Sequence, residues 1–150
     1  MKNLSFITLF VSVILCSCST KKAEQTCETT EDYSVCGKWE LVKINDSDIT
    51  SNENEEQPYV IFNMKDSTIA AFDGCNNIGG WVVKADSGNL VMVDMTSTLQ
   101  FCEEQGESAK LGAILNVADK YEIKNCAEQG KCLVITSSND SISAIFKAIK

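Results

Sequence analysis

From residue 38 onward the chain is a series of short apolar runs separated by turn residues. Residues 38–44 alternate, with Trp39 and Leu41 on one face and Glu40 and Val42 on the other, as a half-buried strand does. Residues 59–64 form a nearly continuous apolar run, which predicts a strand covered on both faces. The turn Lys65-Asp66-Ser67 leads into a strand over residues 68–72. Residues 81–84 and 90–95 follow as strands on either side of the turn cluster Asp86-Ser87-Gly88-Asn89. Residues 121–124, 133–136 and 142–148 close the series, with turns at Gly130 and Asn139-Asp140. Short strands at such spacing predict a mainly β fold, a small antiparallel barrel-like sheet.

Between residues 103 and 118 the period changes. Leu111, Ile114, Leu115 and Ala118 fall at i, i+3, i+4 and i+7, one face of a helix. Glu103, Glu104 and Glu107 stand near its start, where negative charge suits the helix dipole. Gly112 weakens this helix by up to roughly 1 kcal/mol relative to alanine, or else allows close packing on the sheet. The stripe must cover the sheet or plug a barrel end. The domain therefore carries one packed α-helix.

The densest turn signal is Phe72-Asp73-Gly74-Cys75-Asn76-Asn77-Ile78-Gly79-Gly80-Trp81. Glycine and asparagine accept positive φ, so the chain can reverse sharply there. Gly74-Cys75-Asn76-x-x-Gly79-x-Trp81 resembles the signature of the META/HslJ-like domain family. Trp39-x-Leu41-x-x-Ile44-Asn45 is similar to that family's opening strand, and Pro58-Tyr59-Val60-Ile61-Phe62 to its second. Thr98-x-x-x-Cys102 is similar to its T-x-M-x-C segment, with Gln100 where the methionine would sit. Glu107-x-x-x-Leu111-x-x-Ile114 and Tyr121 resemble its helix and the next strand. The resemblance implies a domain over residues 37–150, mainly β with one helix, linked to stress responses at the bacterial envelope.

The start of the chain is of another kind. Lys2 is followed by an apolar run from Leu4 to Leu15 and then by Leu15-Cys16-Ser17-Cys18. The run is too short for a comfortable transmembrane helix and reads as a secretory signal over residues 1–17. The last four residues resemble a bacterial lipobox with Cys18 as the lipidated residue. Cys16 fits less well, because bulky Leu15 precedes it. The expected product is a lipoprotein held by palmitate-type acyl chains, with the outer membrane as default because Ser19 follows the cysteine. Residues 18–36 read as a polar tether.

Charge then narrows the partners. The whole chain carries −8; without residues 1–17 it has 12 lysines against 21 acids, or −9. Arginine and histidine are absent. Such a chain is a poor nucleic-acid binder and is not expected to adhere to anionic lipid through its surface charge.

Six cysteines remain beyond the anchor: Cys27, Cys36, Cys75, Cys102, Cys126 and Cys132. In an exported chain they read as a disulfide framework. Cys126 and Cys132 flank a turn containing Gly130, and Cys27 and Cys36 are neighbours in the tether. That leaves Cys75 with Cys102, a loop of about 28 residues whose closure stabilises by roughly 3–4 kcal/mol in the chain-entropy model. The family resemblance places both positions in its signature. Zinc would want paired knuckles or histidine, and redox catalysis a C-x-x-C; neither is present.

Other chemistry is thinly signalled. The acids Asp46, Asp48, Glu53, Glu55 and Glu56 lie in the polar stretch 45–57, but their spacing does not fit an EF-hand loop, so a solvated loop is expected. Without histidine, Ser-His-Asp and Cys-His catalysis are excluded. Asp73 and Asp94 are the carboxylates nearest apolar strands, and a turn or cap role is expected for both. Two function classes remain. One is a non-enzymatic envelope module, monomeric, needing no cofactor, that binds a protein, peptide or small ligand. The other is an enzyme with an unrecognised carboxylate site. A filled interior favours the first, and a cavity would make it a carrier. Asn76, Asn77, Trp81 and Trp39 are the side chains of interest.

Overall fold

A computed structural model describes residues 35–50, 56–102, 106–127, 129–139 and 141–149. The signal segment and tether residues 18–34, with Cys16, Cys18 and Cys27, lie outside the described residues. The strands are β1 (Gly37–Ile44), β2 (Ser47–Asp48), β3 (Tyr59–Asn63), β4 (Thr68–Phe72), β5 (Asn77–Asp86) and β6 (Asn89–Ser97). A 3-10 turn (Glu107–Lys110) and helix α1 (Leu111–Val117) precede β7 (Lys120–Cys126), β8 (Gly130–Thr136) and β9 (Ser143–Ala148).

All pairings are antiparallel. The order is β2-β1-β3-β4-β5-β6-β7-β8-β9, and β1 also pairs with β9, so the sheet closes on itself. β2 is an appendage that hydrogen-bonds to the end of β1 through Lys43↔Asp48 and Ile44↔Ser47. Closure removes the two free edges that an open sheet would expose.

Buried and less buried positions alternate along β3, β4 and β9 as the pleat requires, whereas β8 buries four residues in a row, Cys132 to Ile135. Trp39, Leu41 and Ile44 from β1, Val60 and Phe62 from β3, and Ile69 and Ala71 from β4 are buried. Leu90, Leu133, Ile135, Ala144 and Phe146 complete a continuous apolar core. The prediction that β3 is covered on both faces is corrected. Tyr59, Ile61 and Asn63 on its outer side are only half-buried, because the outer face of a closed barrel has no second layer over it. Val35 is buried and its carbonyl accepts the Trp39 Nε1–H at 2.7 Å, so the core takes in a residue two positions before Gly37.

The joint between β6 and β7 is the weakest in the ring. Their ladder register consists of Asn89↔Lys120 alone. Leu90 N donates to Asp119 O, and Tyr121 N to Gly88 O, both at 2.9 Å. Helix α1 connects these strands and packs its stripe of Leu111, Ile114 and Leu115, with Ala118 just after it, into the core. A Cβ at Gly112 would lie 3.3 Å from Ile78 Cδ1, so the missing side chain lets helix and sheet approach closely. The helix is shorter than predicted: residues 107–110 make a 3-10 turn, and residues 103–105 lie outside the described residues. The predicted long loop after β1 also begins with structure, since Ser47–Asp48 pair back onto β1.

Candidate functional site

The signature turn and the Thr98–Cys102 segment meet at one end of the barrel, where β4 passes to β5 and β6 ends. Asp73, 6% exposed, organises the turn. Its Oδ1 accepts the backbone N–H groups of Cys75 at 2.8 Å and Asn76 at 2.6 Å, and its own N–H donates to Asn76 O at 3.1 Å. That is an Asx-type turn, which satisfies amides that no strand could reach. Gly74 takes φ +99°, and a Cβ there would sit 3.2 Å from Ser108 Oγ of the 3-10 turn. Both the backbone angle and the space call for glycine.

Asn76 reaches across to the other segment. Its Oδ1 accepts the Thr98 hydroxyl at 3.0 Å and the Gln100 N–H at 2.8 Å. Thr98 Oγ1 in turn accepts the Asn77 N–H at 3.1 Å, and Thr98 N–H donates to Asn77 O at 3.0 Å. A disulfide joins Cys75 to Cys102, with the Cα atoms 6.2 Å apart and a sequence separation of 27. The Cys75 sulfur lies 3.6 Å from Gln100 O. Residues 98–102 are thus held at Thr98, at Gln100 and at Cys102. Gln100 engages the clasp through its main chain, so the clasp survives the loss of the methionine that the signature would have there.

The remaining candidates divide. Trp39 is 3% exposed and a core residue, whereas Trp81 is 51% exposed on the outside of β5. Bulges between Gly79 and Trp81 and between Val82 and Lys84 re-aim this stretch, and Trp81 stands opposite Val93. Val83, Val91 and Val93 are exposed beside it. A Cβ at Gly79 would meet nothing nearer than Ile69 O at 3.9 Å, and nothing in the structure explains its place in the signature. Its neighbour Gly80 has no such room: a Cβ would lie 3.0 Å from Val93 O, beneath the Met95 side chain. Asp94 adopts φ +52° and is exposed, a strained backbone position where β6 bulges against β5.

Cys126 and Cys132 are bonded across the β7–β8 hairpin, with Cα atoms 5.9 Å apart. Cys36 is disulfide-bonded as well, and Cys27, the partner expected for it, lies outside the described residues. Among the described residues no three His, Cys, Asp or Glu side chains group to hold a metal ion. Asp48 pairs instead with Lys43 at 3.1 Å, and Glu56 faces Lys38 at 4.0 Å. Lys38 Nζ sits 3.7 Å above the Tyr59 ring. The Tyr59 hydroxyl titrates above its ordinary value, through burial first and the Glu56 carboxylate second. A shallow cleft of about 450 Å³ opens between the end of α1 and the β8–β9 turn, lined by Val117, Asp119, Ser137, Ser138, Asn139, Ser141 and Ile142. Its polar groups bond among themselves: Ser138 to Asp119, and Ser137 to Asn139 at 2.6 Å.

Sequence reasoning named Asn76 and the cysteines, but it did not find Leu99 and Phe101. These stand between the anchored positions at 98% and 91% exposure. The apolar residues inside Thr98-x-x-x-Cys102 were the available signal.

A family model for the META domain matches residues 34–148. The chain belongs to the META domain family. The match begins next to Val35, where the core begins. Among solved structures, the META chain is similar to a protein from Burkholderia xenovorans solved by NMR, at 17% identity and a TM-score of 0.59, covering 76% of this chain and 82% of that one. It is also similar to a duf4847 family protein from Bacteroides vulgatus, at 14% identity and a TM-score of 0.51, covering 76% of this chain and 93% of that one. At these identities the likeness is one of fold. No curated protein matches the chain.

Proposed function

We propose that this META domain protein is a non-enzymatic envelope lipoprotein: a small rigid module tied to the membrane at Cys18 that works by binding and serves in the response to envelope stress. The observation that carries the reading is the use of the signature. Asp73 Oδ1, Asn76 Oδ1 and Thr98 Oγ1 all bond to the main chain or to one another, so the signature side chains are used to hold the loop, which supports a structural use over a catalytic one. The barrel interior is occupied by Phe62, Leu90, Leu133, Ile135 and Phe146, all at 0% exposure, which favours a surface binder over an interior carrier. The anchor rests on the Leu15-Cys16-Ser17-Cys18 sequence. The alternative enzyme would need a carboxylate freed from such partners, and Asp119 in the shallow cleft is bonded to Ser138.

The test is fractionation of cells with palmitate labelling. Wild type should take up label and stay with the membranes. Cys18→Ala should lose the label and become soluble, whereas Cys16→Ala should behave as wild type. The reverse pattern for the two cysteines would move the anchor. Reproducible turnover on a hydrolase or redox panel, lost with a single acid or cysteine, would replace the module by an enzyme.

A further inference from the structure

We infer that the clasped loop carrying Leu99 and Phe101 is a membrane-contact site, which inserts these two side chains at the headgroup–acyl boundary of a zwitterionic bilayer and so fixes how the domain sits on the membrane. This rests on the lipoprotein reading above. Among the exposed large apolar residues, Leu99 at 98% and Phe101 at 91% stand furthest out; Trp81, Val83, Val91 and Val93 lie flatter on the strands. The loop that presents the pair is held on both sides: Thr98 and Gln100 bond to Asn76, and Cys102 is covalently joined to Cys75. A pre-ordered loop loses little conformational freedom when it binds.

Three observations select lipid as the occupant. The first is the chain length that leads to the anchor. Nine Cα steps separate Cys18 from Cys27, the expected partner of the disulfide-bonded Cys36, so the extended tether with that bond in place reaches about 35–40 Å. That exceeds the roughly 30 Å width of a domain of this size, so either end of the barrel can meet the bilayer to which the chain is tied. The second is area. One leucine and one phenylalanine bury far less than the roughly 800 Å² per partner of a stable protein interface. A tethered domain needs only a weak second contact, because the anchor supplies a high local concentration. The third is charge. The chain carries −8 and has no arginine, and Glu103 and Glu104 follow the loop directly in sequence. Adhesion to anionic lipid is therefore disfavoured, and insertion into zwitterionic lipid is not.

The experiment uses the full lipidated protein, purified from membranes and reconstituted in vesicles of phosphatidylethanolamine and phosphatidylcholine. Phe101→Trp is placed in a Trp81→Phe background, leaving the buried Trp39 as a constant signal, and acyl-brominated lipid serves as the quencher. The indole at 101 should shift to the blue, be quenched several-fold more than Trp81 in otherwise wild-type protein, and lose most of this when phosphatidylglycerol replaces half the lipid. Protein that floats with the vesicles while the indole at 101 stays open to acrylamide and unquenched by bromine overturns the insertion and leaves the anchor standing. Protein that fails to float overturns the anchor, and the insertion with it. Shielding from acrylamide without bromine quenching overturns the insertion in favour of a protein occupant; if it grows with protein concentration, that occupant is a second copy.

Discussion

Two of the molecule's disulfides serve different ends. Cys126 and Cys132 stand at a sequence separation of 6 and lie in a hairpin whose seven residue pairs run from Lys120↔Thr136 to Cys126↔Gly130. Cys75 and Cys102 stand at a sequence separation of 27 and tie a turn to a segment with no ladder of its own beyond Ser97. The first reinforces what main-chain pairing already brings together. The second, with the Asn76 side chain, substitutes for pairing where the barrel's strands run out. A covalent link matters most where the ladder stops, because closing a longer loop removes more freedom from the unfolded chain.

Removing the long-range bond should therefore have the largest effect. Cys75→Ala/Cys102→Ala should lose roughly 3–4 kcal/mol of stability in denaturant unfolding. Cys126→Ala/Cys132→Ala should lose about 2 kcal/mol, as expected for closure of so short a loop. Equal losses would erase the distinction between the two regions. Asn76→Ala leaves the Thr98 hydroxyl and the Gln100 N–H to solvent and should cost about 1 kcal/mol by the same measurement. Gly79→Ala should change stability by no more than about 0.5 kcal/mol despite its place in the signature, since its Cβ has ordinary room.

Much of the strand layout was legible from alternation, because a strand with one buried face writes its period into the residues. Residues 68–72 are β4 as predicted, and Leu111, Ile114 and Leu115 pack as the stripe implied. Closure between β1 and β9 was not legible, since no local pattern records which distant strand pairs with Leu41 or Ile44. β3 was over-read because Tyr59 and Ile61 are apolar enough to suggest a covering layer, although a barrel's outer face tolerates them half-exposed. The direction of Trp81 depends on bulges that only the paired register defines. Asn76 was legible as a residue of interest; its partners were not, because they lie 22 and 24 residues away.

The central claim is that Asn76 and the Cys75–Cys102 bond together hold residues 98–102 in one conformation. Amide hydrogen exchange at Gln100 reads this directly, since that N–H has the Asn76 carboxamide oxygen as its acceptor at 2.8 Å. The account predicts slowed exchange in the wild-type protein, and a marked acceleration in Asn76→Ala while non-reducing peptide mapping still finds Cys75 joined to Cys102. A wild-type Gln100 amide that exchanges at the rate of an unstructured peptide would contradict it.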